Sequence, residues 1–318
     1  MKYIESFTDG MHINGIYLCK TRTIAVTKNG KEYGNLTLQD KTGQIEGKIW
    51  DLGSPAIRDF DAMDFVEIDA LVTVFNGANQ LNIRRIQRAD KGQYDERDYF
   101  PTTPMDIEEM KKEVHALVDT ISDPYLKQLL KRFFDDEGFM HVFSLHSAAK
   151  SVHHGFIGGL LQHSLSVAKI CSLMAGHYGK DMVNRDLLVT GALLHDIGKT
   201  KELSGFPTNE YTDPGQLLGH IIIGSQMIDR AAAGIQGFPE KLKNELIHLI
   251  LSHHGEYEFG SPKKPALIEA IILAYVDNID AKVETMHEAF MSKQPQNQDG
   301  WLGFNKLLDS NIRKTTGV

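Results

Sequence analysis

The first part of the chain alternates apolar and polar residues in short stretches, and this period of two predicts β-strands. Turn signals such as Asn29-Gly30 and Lys41-Thr42-Gly43 separate the stretches. The predicted strands cover residues 15–20, 23–27, 34–40, 44–50, 65–75 and 80–86. Five or six short strands of this kind predict a small closed barrel, and the OB-fold is the commonest barrel with five strands.

Beyond residue 103 the apolar residues recur every three or four positions, which is the period of an α-helix. Thr103-Pro104 and Asp123-Pro124 each place a capping residue before a proline, so both predict helix starts. Further helices are predicted at residues 158–177, 184–196, 214–233, 239–254 and 265–290. We therefore predict a multidomain α+β protein, with an OB-like five-stranded barrel at residues 1–90, a polar linker at 91–103 and an all-α domain at 104–318.

The composition is that of an ordinary globular protein, with 42% hydrophobic and 24% charged residues. The formal net charge of −8 argues against a broad basic surface, so any contact with nucleic acid must be local or metal-mediated. Cys19 and Cys171 make no disulfide framework, which suits a reducing compartment. No segment approaches the roughly 20 apolar residues of a membrane span, and no secretory signal is recognisable. We expect a cytoplasmic protein without a membrane partner.

Aromatic and basic residues of the predicted barrel are candidates for binding a single strand of nucleic acid. Small barrels bind such strands by aromatic stacking and a few cations on one face. The candidates are Tyr33, Trp50, Phe75, Arg84, Arg85 and Arg88. The alternative places the aromatic residues in the core and the arginines on a solvated edge, and this alternative is favoured for any single aromatic residue.

Several predicted helices carry imidazole or carboxylate groups within apolar runs. In the segment Leu193-Leu194-His195-Asp196-Ile197-Gly198-Lys199, His195 shares a helical face with Leu188 and Ala192. Burying an unpaired imidazole or carboxylate costs several kcal/mol, so such groups are hydrogen-bonded, ion-paired or bound to metal. The groups of this kind are His163, His195, Asp196, His220, His253, His254 and Asp277.

A single histidine on an apolar face is more often a core residue than a ligand. Because five predicted helices each direct such a group inward, the set favours a shared cation. Neutral imidazole and carboxylate ligands suit manganese, iron, cobalt, nickel or zinc. Asp280, His153 and His154 lie nearby in the sequence, and whether they contribute is left open at this point.

In this order and on helices, these residues resemble the motif of the HD-domain metal-dependent phosphohydrolases. Over the whole chain, an OB-like barrel followed by an HD domain resembles the bacterial YhaM-type 3′→5′ exoribonucleases, and residues 155–164 and 250–255 are similar to segments of that family. The resemblance implies two divalent metal ions, manganese first among the candidates, with Asp196 as the bridge. The implied ligands of the first ion are His163, His195, Asp196 and Asp277, and those of the second are His220, His253 and His254. Which of His253 and His254 binds directly is left open.

The resemblance also implies the hydrolysis of phosphodiester bonds in single-stranded RNA, with single-stranded DNA as a second expected substrate. A divalent metal lowers the pKa of bound water toward about 7, which suits hydrolysis at neutral pH. The expected catalytic residues are Asp196 and Lys199. Lys199 would place a cation on the phosphate, or it would serve only as the charge at a helix C-terminus.

Two other functions stay open from the sequence. One is the hydrolysis of free nucleotides, with the barrel used for assembly or regulation. The other is a nucleic-acid-binding module with a structural metal site. Structural sites are normally closed by four ligands, so the larger set of candidates here favours an enzyme. Assembly into a homo-oligomer is compatible with each of these functions.

Overall fold

The computed structural model describes residues 2–27, 29–149, 155–206, 208–292 and 300–316. Two compact units divide the chain, Met1–Thr102 and Thr103–Val318, which we call the barrel unit and the helical unit. The boundary places residues 91–102 of the predicted linker in the barrel unit. Within it, Tyr94 stacks on Phe65 at 3.9 Å between ring centroids, and the buried Tyr99 donates a hydrogen bond to the carbonyl of Ile16 at 3.1 Å. Part of the predicted linker, around Tyr94 and Tyr99, therefore packs within the barrel unit.

The barrel unit contains a closed five-stranded barrel with the strand order β1-β2-β3-β5-β4, which confirms the barrel predicted from the sequence. Its strands are β1 (His12–Val26), β2 (Glu32–Asp40), β3 (Gly43–Ile49), β4 (Phe65–Phe75) and β5 (Ala78–Arg88). Among these five strands, β3 and β5 pair in parallel and the other neighbouring strands pair antiparallel. Alternate residues of β2 and β4 are buried, as the period of two requires.

The two strands predicted at residues 15–20 and 23–27 are one continuous strand, β1. Its first half pairs with β4 from His12 to Leu18, and its second half pairs with β2 from Leu18 to Val26. The register shifts between Cys19 and Thr21. An irregularity of this kind bends a strand, and here it lets β1 pass from one neighbour to the other and close the barrel.

The helical unit contains nine helices within the described residues. They are α1 (Ile107–Asp119), α2 (Pro124–Phe134), α3 (Glu137–Leu145), α4 (Gly159–Tyr178), α5 (Arg185–Leu194), α6 (Lys199–Glu202), α7 (Asp213–Ala233), α8 (Glu240–Ser252) and α9 (Ile268–Ser292). A hairpin of β6 (Trp301–Asn305) and β7 (Ser310–Arg313) follows, which the helical prediction for residues 104–318 does not include. None of the helices in the described ranges has both the length and the apolar character needed to cross a membrane.

Capping residues explain where two of these helices begin. Asp123 accepts hydrogen bonds from the amides of Tyr125 and Leu126, so the predicted start at Asp123-Pro124 is confirmed. The start predicted at Thr103-Pro104 is wrong, because α1 begins three residues later, where Asp106 accepts from two backbone amides. The Thr103 hydroxyl instead bonds the side chain of Gln162 on α4.

Helix α5 forms the centre of the helical unit. Every residue from Leu187 to Leu194 is buried, and α5 packs against α4, α8 and α9. At Gly191 a Cβ atom would overlap the side chain of Leu249 on α8, so the two helices approach at a glycine. The polar residues that end α5 are consequently held in the interior.

Candidate metal centre

The imidazole and carboxylate groups singled out in the sequence meet at one place in the helical unit. His163 lies on α4, His220 on α7 and Asp277 on α9, whereas His195 and His253 are the C-terminal capping residues of α5 and α8. Asp196 and His254 directly follow those two capping residues. Five helices therefore contribute to one cluster, as the sequence predicted.

Gly198 allows the loop after α5 to lie directly against α7. A Cβ atom at this position would overlap the backbone carbonyl of His220 and would lie 2.7 Å from the amide nitrogen of Gly224. Only glycine tolerates this approach. The approach brings Asp196, two residues earlier in the chain, beside His220.

Helix α7 is interrupted at Gly219, where the predicted helix at residues 214–233 has no break. Gly219 has φ 73° and ψ 159°, in a region that favours glycine, so a second helical segment begins at His220. The Glu202 Oε1 atom accepts hydrogen bonds from the His220 amide at 2.9 Å and from its Nδ1 atom at 3.1 Å. One carboxylate thus caps the new segment and fixes the direction of the imidazole.

Two groups of possible metal ligands lie in the cluster. His163, His195 and Asp277 form group one, and His220, His253 and His254 form group two; within each group the ligand atoms lie within 4.8 Å of one another. In group one, the His163 Nε2 atom is 3.1 Å from both His195 Nε2 and Asp277 Oδ1. Each group could hold one metal ion.

Asp196 lies between the two groups and faces both. Its Oδ2 atom is 3.6 Å from His163 Nε2 and 3.4 Å from His195 Nε2, both in group one. Its Oδ1 atom is 3.5 Å from His220 Nε2 and 3.7 Å from His253 Nε2, both in group two. The carboxylate therefore has the position that a bridging ligand needs.

Hydrogen bonds to Nδ1 fix the orientation of the imidazoles. The Nδ1 atoms of His195, His253 and His254 lie 2.7, 2.7 and 2.8 Å from backbone carbonyl oxygens. A carbonyl oxygen only accepts, so each Nδ1 carries a proton, and this tautomer leaves Nε2 as the atom that can bind a metal. Metal-binding histidines are usually held in this way.

Three buried atoms of the cluster have no hydrogen-bond partner in the part of the chain that the structure describes. They are Asp196 Oδ1, His220 Nε2 and His253 Nε2, and they point at one another. A buried polar atom left unsatisfied costs about 1–3 kcal/mol, and native structures rarely leave several together. These atoms fit a shared cation.

Charges inside the cluster are distributed unevenly. Burial lowers the pKa of His163, but its hydrogen bonds with Asp277 and Asp280 outweigh burial and raise that pKa to about 10. Burial and the neighbouring imidazoles of His254 and His195 hold the pKa of His253 well below its usual value. Burial raises the pKa of Asp196, but Lys199 and the imidazoles dominate and hold that pKa well below its ordinary value. The centre thus has strongly ionised carboxylates and, in group two, a neutral imidazole.

Two carboxylates beside the centre orient ligands without joining either group. Asp280, left open in the sequence, lies 2.7 Å from His163 Nδ1 and therefore holds that ring from the outer side. Glu202 holds His220 in the same way, and no pattern in the sequence pointed to it, since it lies in a four-residue helix without apolar periodicity. His153 and His154 lie outside the described residues.

A cavity of about 690 Å³ opens onto the cluster. Its walls include six of the seven cluster residues, the cations Lys199 and Lys282, and the apolar side chains of Phe259, Leu307 and Leu308. Lys199 is mostly buried, and its Nζ atom donates to Asp196 Oδ2 at 2.7 Å. The cavity therefore combines charged and apolar lining residues.

The structure separates the candidate residues for nucleic acid on the barrel. Tyr33 and Trp50 lie together, with ring centroids 4.9 Å apart, and Trp50 is 43% exposed. The last paired residues of β3 and β5 are Lys48 and Asn82. Trp50 and Arg84 each lie two residues beyond this pair, so both lie at the same end of the two strands. Phe75 lies at the β4–β5 turn and pairs with Ala78, which is six residues, or roughly 20 Å along the strand, from Arg84.

The other basic candidates are already ion-paired. Arg85 lies 3.4 Å from Glu67, and Arg88 lies 2.6 Å from Asp64. Lys48, which the sequence did not single out, also has an acidic partner, Glu46 at 3.2 Å, and its ammonium group lies 5.6 Å from the centre of the Tyr33 ring. The structure therefore brings together Tyr33, Trp50 and Lys48, with Arg84 at the same end of the strands, whereas Arg85 and Arg88 are held by carboxylates and Phe75 lies at the far turn.

The fold and the cluster together define an HD-domain protein with an N-terminal barrel, and the HD-domain family matches residues 160–282. Two curated relatives are similar over most of their length. The 3′-5′ exoribonuclease YhaM of Bacillus velezensis is 36% identical over 287 residues, which cover 90% of each chain. The 3′-5′ exoribonuclease YhaM of Bacillus licheniformis has the same identity and coverage. The chain therefore belongs to the YhaM family of 3′-5′ exoribonucleases, and the resemblance noted in its sequence is confirmed.

Proposed function

We propose that this chain is a metal-dependent 3′→5′ exoribonuclease that hydrolyses the phosphodiester bonds of single-stranded RNA. The observation that carries the proposal is the position of Asp196, whose two oxygens face two separate groups of imidazole ligands. The activity named for relatives that align over 90% of the chain supports the same conclusion.

In this proposal two divalent ions, with manganese as the first candidate, would share Asp196. His163, His195 and Asp277 would hold one ion, and His220, His253 and His254 would hold the other. A metal pair supplies an activated water and neutralises phosphate oxygens during displacement. Asp280 and Glu202 keep two of the imidazoles directed at the centre.

Lys199 has the charge and position to bind a phosphate oxygen. Burial lowers the pKa of Lys199, but the attraction of Asp196 outweighs burial and raises it, so the amine stays protonated. The side chain lines the cavity while one of its protons is held by Asp196. An ammonium group has three donors, so two are left for a substrate. We assign Lys199 to the stabilisation of the phosphate charge.

The barrel unit would hold the RNA strand, and the helical unit would cleave its terminal phosphodiester bond. Tyr33 and Trp50 offer adjacent ring faces for stacking, and Lys48 and Arg84 offer cations for phosphates. The proposal extends to single-stranded DNA, because base stacking does not require a 2′-hydroxyl. It also includes a cytoplasmic location and leaves room for a homo-oligomer.

A second candidate function is the hydrolysis of free nucleotides. The specific observation in its favour is the cavity of about 690 Å³, which lies within the usual range for sites that bind one small molecule. In that case the barrel would serve assembly or regulation.

Single-stranded RNA labelled at either the 5′ or the 3′ end tests the proposal. With manganese, the 3′ label should appear at once as a mononucleotide, and the 5′-labelled strand should shorten step by step; chelator should stop both. Free nucleotides should be poor substrates in parallel assays. Loss of the 5′ label first, or activity that survives chelator, contradicts the proposal. Rapid hydrolysis of free nucleotides with intact RNA favours the second candidate.

A further inference from the structure

Phe259 lines the cavity but has no part in the proposed hydrolysis. Phe259 ends a short 3-10 turn, Tyr257–Phe259, that follows α8. Its side chain lines the same cavity as the metal ligands, and 60% of the residue is exposed. Large apolar rings are usually buried, and one exposed beside convergent polar groups often marks a binding site.

The backbone holds Phe259 in a fixed position relative to the metal centre. Its carbonyl oxygen accepts the hydrogen bond from His254 Nδ1 at 2.8 Å, and His254 belongs to group two of the ligands. The turn closes with the amide of Gly260 donating to the carbonyl of Tyr257 at 3.0 Å. A substrate group bound beside this ligand group is therefore within reach of the ring.

The chemistry of the cavity indicates what the ring would contact. The lining contains the ligand cluster with Lys199 and Lys282, which suits an anion, and it also contains Phe259 and Leu307, which suit a flat apolar group. A nucleotide combines a phosphate with a planar base. Stacking on an aromatic ring is sequence-tolerant because every base has a π-face.

We infer that Phe259 is the stacking platform for a nucleobase next to the cleaved phosphodiester. This inference rests on the proposed function, because it takes a nucleic-acid strand as the substrate. In this role the ring binds and positions the strand end and takes no part in bond cleavage. Its removal should therefore raise KM far more than it lowers kcat.

Tyr257 provides a matched control on the same turn. It is 61% exposed, almost the same as Phe259, yet it is not among the residues that line the cavity. The ammonium group of Lys264 lies 5.6 Å from the centre of its ring. A general effect of removing an exposed ring from this turn would appear in both variants, whereas a stacking role would appear only at Phe259.

The test combines the variants Phe259→Ala, Phe259→Trp and Tyr257→Ala with three single-stranded oligoribonucleotides. One is intact, one lacks the 3′-terminal base and one lacks the penultimate base. For Phe259→Ala we expect KM on the intact strand to rise roughly 5- to 150-fold, the range for loss of one stacked base. On the strand that lacks the stacked base, the same substitution should change KM less than about twofold. Tyr257→Ala should behave like the parent protein. Phe259→Trp keeps an aromatic face, so its KM on the intact strand should stay well below that of Phe259→Ala.

Manganese binding and circular dichroism of each variant are measured alongside. Equal losses for Phe259→Ala on all three strands, or loss of manganese binding, would overturn the inference and assign the residue to support of His254. The proposed function would survive that result, because the parent protein would still degrade RNA. If the parent binds manganese and degrades no RNA, the proposed function fails, and the inference fails with it.

Discussion

Replacement of Glu202 should loosen one group of ligands and leave the other intact. A single oxygen of Glu202 accepts two hydrogen bonds from His220, one from its amide at 2.9 Å and one from Nδ1 at 3.1 Å. Burial raises the pKa of Glu202, but His220 and Lys199 outweigh burial and lower it, so the carboxylate is ionised. Glu202→Ala removes both hydrogen bonds and the charge, whereas Glu202→Gln keeps an acceptor oxygen and removes only the charge.

The expected size of the effect follows from these contacts. Hydrogen bonds to charged groups contribute about 1.5–3 kcal/mol. Partners that hold a metal-binding histidine from behind typically change metal affinity 10- to 100-fold, which corresponds to about 1.4–2.7 kcal/mol. We therefore expect Glu202→Ala to weaken metal binding at group two by nearly 100-fold and Glu202→Gln by nearly 10-fold.

Isothermal titration with manganese measures both groups in one experiment. Group one has its own outer carboxylate, since Asp280 lies 2.7 Å from His163 Nδ1. Asp280→Asn should therefore weaken the other binding step, so the two variants give opposite patterns. Glu113→Gln is the control, because Glu113 pairs with Lys169 outside the cluster.

Two results would refute this reasoning. One is a titration of Glu202→Ala with both binding steps at parental strength, in a variant whose circular dichroism is unchanged. The other is the weakening of both steps together in each variant, which would mean that the two groups do not act as separate sites.

Three further predictions concern the centre and the barrel. Asp196→Asn should lower hydrolysis by more than about 100-fold with an unchanged fold, because both ions lose a shared negative charge; full activity in a folded variant with reduced metal content would exclude the metal mechanism. Manganese at 100 times its dissociation constant should stabilise the protein by about 2.7 kcal/mol per site. Calorimetry should show this as a rise in Tm of roughly 5–11 °C per site. An unchanged Tm would contradict the fit of the unpaired atoms to a cation. Trp50→Ala should weaken RNA binding by about 1–3 kcal/mol at every salt concentration, whereas Arg84→Ala should flatten the slope of log K against log salt by about 0.7, and two variants that bind as the parent does would place the strand elsewhere.

The sequence was sufficient for the type of each unit because the relevant signals are local. Alternation of apolar and polar residues specified the strands of the barrel, and the period of three to four specified most helices. The ligand candidates were also recognisable, since a histidine or aspartate within an apolar run has no water to satisfy it. Tyr33 and Trp50 on the barrel were candidates for binding nucleic acid because of their residue types alone.

The arrangement of these residues depended on contacts between distant parts of the chain. The sequence predicted two strands where the structure has one, β1. Hydrogen bonding of β1 to both β2 and β4 outweighed the break in the apolar–polar alternation. Helix α7 also differs from its prediction at a contact between distant residues. It breaks at Gly219, where His220 donates hydrogen bonds to Glu202, 18 residues earlier. The pairing of Arg85 with Glu67 likewise depends on the register of β5 against β4.

By itself, the sequence determined which residues are able to bind a metal and which elements carry them, because helix period and side-chain chemistry are properties of short segments. Only the tertiary structure decided that Asp196 faces both ligand groups, that Glu202 holds His220 and that Phe259 lies in the same cavity. The reason is physical. These relations arise where α5 is buried among α4, α8 and α9, and where Gly198 lets the loop after α5 approach α7, and no periodicity within a segment records the distance between two helices.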